Sequence, residues 1–151
     1  MTHVKRRTLR IRGAGRRDLP QVVRNDARVT GLAKPAYWAS ILRRYGQAGP
    51  RRRFLVAESG GRVQGYVVGE VRDWEFGSPP CGWVFAIGVR PEAREAGVAT
   101  ALLQALAAGF RKLGVTKLRT LIARDNRLVL SFFRSQGMMA APVIPLEKEI
   151  G

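Results

Sequence analysis

Ala86-Ile87-Gly88-Val89-Arg90-Pro91-Glu92-Ala93-Arg94-Glu95-Ala96-Gly97-Val98-Ala99-Thr100 is the most patterned segment of the chain. An apolar run ends at Val89, the chain turns at Pro91, and apolar residues recur at helical spacing from Val98. Helix N-termini leave backbone N–H groups unpaired and carry partial positive charge, which together make an anion site. Gly97 has no side chain and Ala99 only a methyl, so several successive N–H groups can approach one pyrophosphate. The six-residue pattern Arg94-x-x-Gly97-x-Ala99 fits an ordinary strand–turn–helix connection equally well when taken alone.

Just before the turn, Gly82 to Val89 is apolar throughout, as expected of a central strand covered on both faces. The helix predicted after it runs from about Gly97 to Gly114, with Val98, Leu102, Ala105, Leu106 and Leu113 on one face. Upstream, Phe54 to Ala57 and Val63 to Val71 read as a hairpin around Ser59-Gly60-Gly61-Arg62. Thr8 to Arg12 alternates as a first strand, and Asp18-Leu19-Pro20 starts a helix with the carboxylate as N-cap. Pro35 opens a second helix that ends by Gly46 or Gly49-Pro50. Downstream, Lys117 to Ala123 is expected as a strand, Asp125 to Gln136 as a helix and Val143 to Lys148 as a last strand. The order β-α-α-β-β-β-α-β-α-β makes one α/β domain on a mixed sheet.

The chain has 151 residues, 46% of them apolar, enough to bury a core within a single domain. A net charge of +16 draws anions: a phosphorylated cofactor, an acidic substrate or nucleic acid. The excess is almost all arginine, which a GC-rich coding sequence also produces, so charge alone does not decide function. Nucleic acid stays a candidate partner, although neither a helix-turn-helix nor an aromatic RNA-reading motif accompanies the charge. Cys81 is the single cysteine, which rules out an intrachain disulfide. Met1 to Arg12 lacks the apolar core of a signal peptide, and Val98 to Phe110 is shorter than the roughly 20 residues of a membrane span. A cytoplasmic protein with no membrane partner and a flexible basic tail at residues 1–7 is the simplest expectation.

The quoted stretch resembles the cofactor motif of the GNAT acetyltransferase superfamily, Arg/Gln-x-x-Gly-x-Gly/Ala after an apolar strand. The resemblance extends to Asn126, the Phe132-Phe133 pair and Gly137-Met138, and to Gly65-Tyr66-Val67-Val68-Gly69 upstream. It implies a single GNAT-like domain over 1–151, a mostly antiparallel sheet of about six strands with splayed central strands, and four flanking helices. It implies acetyl-CoA as co-substrate and an amine acceptor attacked directly, with no covalent enzyme intermediate. The strand Val84 to Val89 would splay from Lys117 to Ala123, and the pantetheine arm would pair with the backbone of Ile87, Gly88 and Val89. The pyrophosphate would rest on the N–H groups of Arg94, Glu95, Ala96, Gly97, Val98, Ala99 and Thr100. Asn126 and Phe133 would lie against the cofactor, and the Val89 N–H would polarise the thioester carbonyl.

This chain departs from the family where the proton chemistry lies. The usual general acid is a tyrosine at the position of Phe133, which cannot donate a proton. Two positions for a base are apolar, Trp83 and Leu121. Glu70, Asp73, Glu75 and Asp125 remain as acceptors, and Glu70 is favoured as the only acid within its strand, its alternative being an ion pair with Arg72 or Arg62. Cys81, His3 and Ser131 are weaker candidates, and Trp74 and Phe76 either line an acceptor pocket or cap the core. No His, Cys or acidic spacing suggests a metal. The basic region from Lys5 to Arg53 selects an acidic acceptor, binds RNA or DNA non-specifically, or is a solvated face without a partner. An open edge at Val143 to Lys148 would invite a homodimer.

Overall fold

The computed structural model describes residues 8–94 and 96–151. The expected tail at 1–7, with His3, and the side chain of Glu95 lie outside the described residues. Two compact units make up the chain, Met1–Thr120 and Leu121–Gly151. Among the described residues no helix is long and apolar enough to cross a membrane.

The first unit runs β1 (Arg10–Gly13), α1 (Leu19–Thr30), α2 (Pro35–Tyr45), β2 (Arg52–Ser59), β3 (Arg62–Arg72), β4 (Cys81–Val89), α3 (Val98–Arg111) and β5 (Leu118–Thr120). The strands form one sheet in sequence order, antiparallel except for the parallel pair β4–β5. Gly60 and Gly61 both take left-handed backbone angles, φ 59° and 74°, which closes the β2–β3 hairpin in two residues.

Side-chain alternation sorts the sheet into two faces. Phe54, Val56, Tyr66 and Val68 pack under α1 and α2 with Val22, Trp38, Ile41 and Tyr45. The opposite face is cut back to glycine at Gly65, Gly69 and Gly82 so that α3 can seat. A Cβ at Gly65 would meet Leu102 Cδ1 at 3.2 Å, one at Gly69 would meet Leu106 Cδ2 at 2.9 Å, and one at Gly82 would meet Phe110 Cδ2 at 2.6 Å. Leu102, Leu106 and Phe110 are fully buried there, each contributing about 1.5–3 kcal/mol. Leu113, expected on that face, lies past the helix end and is exposed.

Register shifts once between β3 and β4. Val68 opposes Ala86 but Gly69 opposes Val84, so Phe85 is an extra residue, a β-bulge. The β4–β5 ladder ends nearby, its last pair being Val84 and Thr120, where the Thr120 hydroxyl donates to the Val84 carbonyl at 3.0 Å. Beyond this point β4 is half-buried or exposed, which corrects the expectation of a strand covered on both faces. The strand loses its neighbour on one side, and its cover with it.

The Asp18 carboxylate does not cap α1 as expected. It accepts two bonds from the Arg12 guanidinium, at 2.7 and 2.8 Å, and one from the Gly15 N–H at 2.8 Å. The arginine holds this buried carboxyl below the usual range.

The second unit holds α4 (Arg127–Ser135). The strand expected at Val143 to Lys148 is absent, so the sheet has five strands rather than six. Pro145 removes a ladder donor in the middle of that segment, and Ile144 and Leu146 are exposed. The edge that suggested a homodimer goes with it. Lys117 to Ala123 likewise contracts to the three residues of β5.

Candidate functional site

The turn between β4 and α3 is built as its sequence demands. Pro91–Ala93 forms a 3₁₀ turn, and Gly97 precedes the helix at φ 77°, a left-handed angle that favours glycine. A Cβ at Gly97 would have nothing within 4 Å, so the glycine is required by backbone angle rather than by space. The first helical bond runs from the Ala101 N–H to the Gly97 carbonyl at 3.0 Å, and the Val98 and Ala99 N–H groups precede it. Gly97, at the cap position, has no side chain to cap the helix, and no acid lies in the first turn. The positive end of α3 is therefore uncompensated by its own helix. The Arg94 and Ala96 N–H groups close turns onto Pro91 and Ala93 at 3.3 and 3.4 Å, so the offered donors centre on Val98 and Ala99.

A clamp steadies this loop from behind. Glu92 pairs with Arg28 of α1 through both carboxylate oxygens and with Arg90 at 3.2 Å. The Arg28 bonds, then the bond from Glu92's own backbone N–H, with a smaller contribution from Arg90, hold its carboxyl down at about 2. Glu92 is thus occupied on the side of α1.

The strand that leads into the turn offers backbone groups. The Arg90 N–H donates to the Gln64 carbonyl at 2.9 Å, and pairing is regular from Val89–Gly65 to Ala86–Val68. Antiparallel alternation then turns the N–H and C=O of Gly88 and Ala86 toward β3, and those of Ile87 and Val89 away from it. On that outer side the β5 ladder has already stopped at Val84. Ile87 and Val89 thus present backbone donors and acceptors, whereas Gly88 is spent on Tyr66. The role of Gly88 is steric: the Tyr66 ring covers it on the α1–α2 face.

Tyr66 belongs to a buried polar cluster that no local pattern announces. Asp26, a helical residue, is 7% exposed and accepts from Trp38 Nε1 at 3.0 Å, with Lys34 Nζ 3.2 Å away. Burial, then the Asp26 carboxylate, raises the Tyr66 hydroxyl well above its ordinary value. The signal in sequence was only an aspartate on the same helix face as Val22.

Glu70 lies opposite Arg52 on β2 and Trp83 on β4, on the α1–α2 face and largely buried. Its carboxylate pairs with Arg52 at 3.4 Å and Arg72 at 3.3 Å. Arg62, the other partner considered, is at the far end of β3. Asp73 pairs with Arg51, and Glu75 with Arg72 at 3.5 Å. Trp74 and Phe76 are 69% and 77% exposed, which removes the reading that they cap the core. Both hold left-handed angles, φ 55° and 57°, unusual for aromatic residues.

Cys81 is buried, its Sγ 3.5 Å from the carbonyls of Gly82 and Lys117, and burial pushes the thiol up. That environment suits packing rather than nucleophilic attack. In the second unit Asn126 caps α4, its Oδ1 accepting from the Val129 N–H at 3.2 Å. Phe133 is buried, with the Phe132 ring 5.2 Å away. Ser131, Leu121 and Asp125 are exposed.

Known proteins share both the fold and the sequence pattern. An L-2,4-diaminobutyric acid acetyltransferase of Nocardia farcinica is 38% identical over 79 residues, 52% of this chain. The aligned segment spans only 39% of that relative's length. An aminoglycoside N-acetyltransferase, AAC(6')-Iy, solved in complex with CoA, superposes with a TM-score of 0.83 at 16% identity, covering 98% of this chain and 99% of its own. The aminoglycoside 6'-N-acetyltransferase AAC(6')-Ih of Acinetobacter baumannii superposes at 0.78 with 19% identity, covering 95% and 100%. At these identities the superpositions speak for the fold. The sequence itself matches the family model over residues 22–138, from α1 past α4, and the chain therefore belongs to the acetyltransferase (GNAT) family.

Proposed function

We propose that the chain transfers an acetyl group from acetyl-CoA to a primary amine by direct attack. The observation that carries this reading is an α3 N-terminus led by Gly97, with no acid in its first turn, beside a β4 end whose Ile87 and Val89 turn their backbone groups outward. A diphosphate needs the first and an amide-bearing arm the second. The diaminobutyrate and aminoglycoside relatives support an amine acceptor.

Acetyl-CoA, when bound, supplies the acetyl group as a thioester. Val98 and Ala99 would hold the pyrophosphate by their N–H groups, with Arg94, Glu95, Ala96, Gly97 and Thr100 completing the loop around it. Ile87 and Val89 would fix the arm, and the Val89 N–H would polarise the carbonyl. Asn126 would donate through its amide, since its Oδ1 already caps α4. The amine nitrogen bonds to the acetyl carbon as the carbon–sulfur bond breaks. Glu70 would accept the amine's proton, and water would protonate the thiolate because Phe133 has no proton to give.

Two features favour a second reading, a non-catalytic acyl-CoA binder: Phe133 at the donor position and two guanidiniums on Glu70. Calorimetric titration of acetyl-CoA, followed by thiol release with an amine panel, tests both. The control is Ala99→Glu, whose carboxylate suits a helix N-terminus yet repels a diphosphate. Binding that is lost in folded Ala99→Glu supports the site. Binding without any thiol release sinks catalysis, and no binding by the wild type sinks both readings.

A further inference from the structure

A cavity of about 540 Å³ opens where β3 ends, lined by Arg51, Arg52 and Arg72 and by Glu70, Asp73 and Glu75. We propose that it is the acceptor subsite and that it takes a small zwitterionic amine, one bearing a carboxylate on the same molecule. This inference rests on the acetyl-transfer reading above.

The charge distribution is the first argument. The chain carries 27 cationic residues against 11 acids, yet three of those acids fall between residues 70 and 75 and meet three arginines in one cavity. The wall is locally balanced inside a strongly positive molecule. An ammonium group needs carboxylates, and a carboxylate is matched by the planar fork of a guanidinium. A wall presenting both suits a ligand with both. A polycationic acceptor would instead meet three arginines and the field of a +16 chain.

The pairs are also exchangeable. Arg51 and Asp73 are both about half exposed, as are Arg52 and Glu75, whose partners Glu70 and Arg72 are more covered, and exposed pairs are weak. A ligand's charged groups can replace them with little loss. Glu70 is the inner member, 14% exposed, and lies at the bottom of the set.

Position supplies the second, independent argument. The Arg72 guanidinium lies 4.8 Å from the centre of the Phe85 ring and 5.9 Å from that of Trp83. Phe85 is the bulge residue, one step past the last β4–β5 pair. The charged cavity therefore adjoins the point where β4 becomes free to hold an acyl arm. Its volume falls in the range of small-molecule sites, roughly 300–1,000 Å³. Trp74 and Phe76 follow on the same loop in left-handed conformations, a kind of backbone strain that recurs at ligand clamps.

The experiment compares kcat/KM for alanine, glutamate, ornithine and lysine with their methyl esters and decarboxylated amines, and with the aminoglycoside kanamycin. At least one acid should exceed its own ester and amine by 10-fold or more. In Arg52→Gln the ratio of acid to ester kcat/KM should fall several-fold, because both substrates share Glu70 but only the acid loses a carboxylate partner. Esters, diamines or kanamycin turned over as well as the acids would overturn the zwitterion proposal and leave acetyl transfer standing. Acetyl-CoA binding with no turnover of any acid in the panel overturns it too. Failure to bind acetyl-CoA at all would instead place the fault in the acetyl-transfer reading, and this inference would fall with it.

Discussion

The Tyr66 hydroxyl occupies the space that a side chain at Gly88 would need: a Cβ there would lie 2.5 Å from the oxygen and 2.6 Å from Cζ. Tyr66 cannot easily yield, because it is buried and its hydroxyl engages Asp26. One residue of β3 thereby fixes the height of the strand assigned to the cofactor arm.

Gly88→Ala should therefore destabilise the protein by roughly 1–3 kcal/mol, the usual cost of overpacking. Urea denaturation measures it. In a Tyr66→Leu background the added cost should shrink, since the clash is with the ring itself, and full additivity would refute the coupling.

Asp18→Ala should cost roughly 3 kcal/mol at neutral pH, because it strips a buried partner from Arg12. The sign with pH follows from the lowered carboxyl. The contribution is complete above the unfolded value of about 3.9 and is lost as pH falls through the lower folded value. Wild type and variant should thus converge in stability in strong acid. A gap that persisted unchanged below about pH 2 would contradict the pairing.

Asn126 carries two roles that substitution can separate. Asn126→Ala loses the cap of α4 and should cost about 1 kcal/mol, whereas Asn126→Ser keeps an acceptor for the Val129 N–H. If the amide also donates to the cofactor, both variants weaken acetyl-CoA binding but only alanine weakens the fold. Calorimetry and thermal denaturation of the pair decide it, and unimpaired binding by the serine variant would confine Asn126 to capping.

Gly97 is held by its backbone angle, φ 77°, with open space around it. Gly97→Ala should cost roughly 1–2 kcal/mol, and Gly97→Asn less, because asparagine tolerates left-handed geometry. Equal losses in thermal melts would mean that space rather than angle selects the glycine.

Much of this was legible in the sequence because it is local. The strand–turn–helix at residues 86–100, the two-glycine hairpin and the helices opened by Pro20 and Pro35 each write their signal within a few residues. The failures share a cause. Val143 to Lys148 has strand-like apolar content, but a strand needs a partner, and Pro145 spoils the ladder. Asp18 reads as a cap until Arg12, six residues away, claims it. Asp26 looks like a surface acid, and only the arrival of Trp38 and Tyr66 makes it a buried acceptor. Glu70 stands out in the sequence as the only acid of its strand, but its two arginine partners come from the neighbouring strand and from two residues along its own. What the chain brings together from a distance cannot be read off a window of residues.

The extra residue at Phe85 inverts the parity of β4. Before it, odd-numbered Trp83 shares the face of Glu70; after it, even-numbered Ala86 and Gly88 share the face of Val68 and Tyr66. The strand is in effect written in two frames joined at one residue. Removing Phe85 would exchange inside for outside along half of β4, so chain length there is less free to drift than any single side chain nearby.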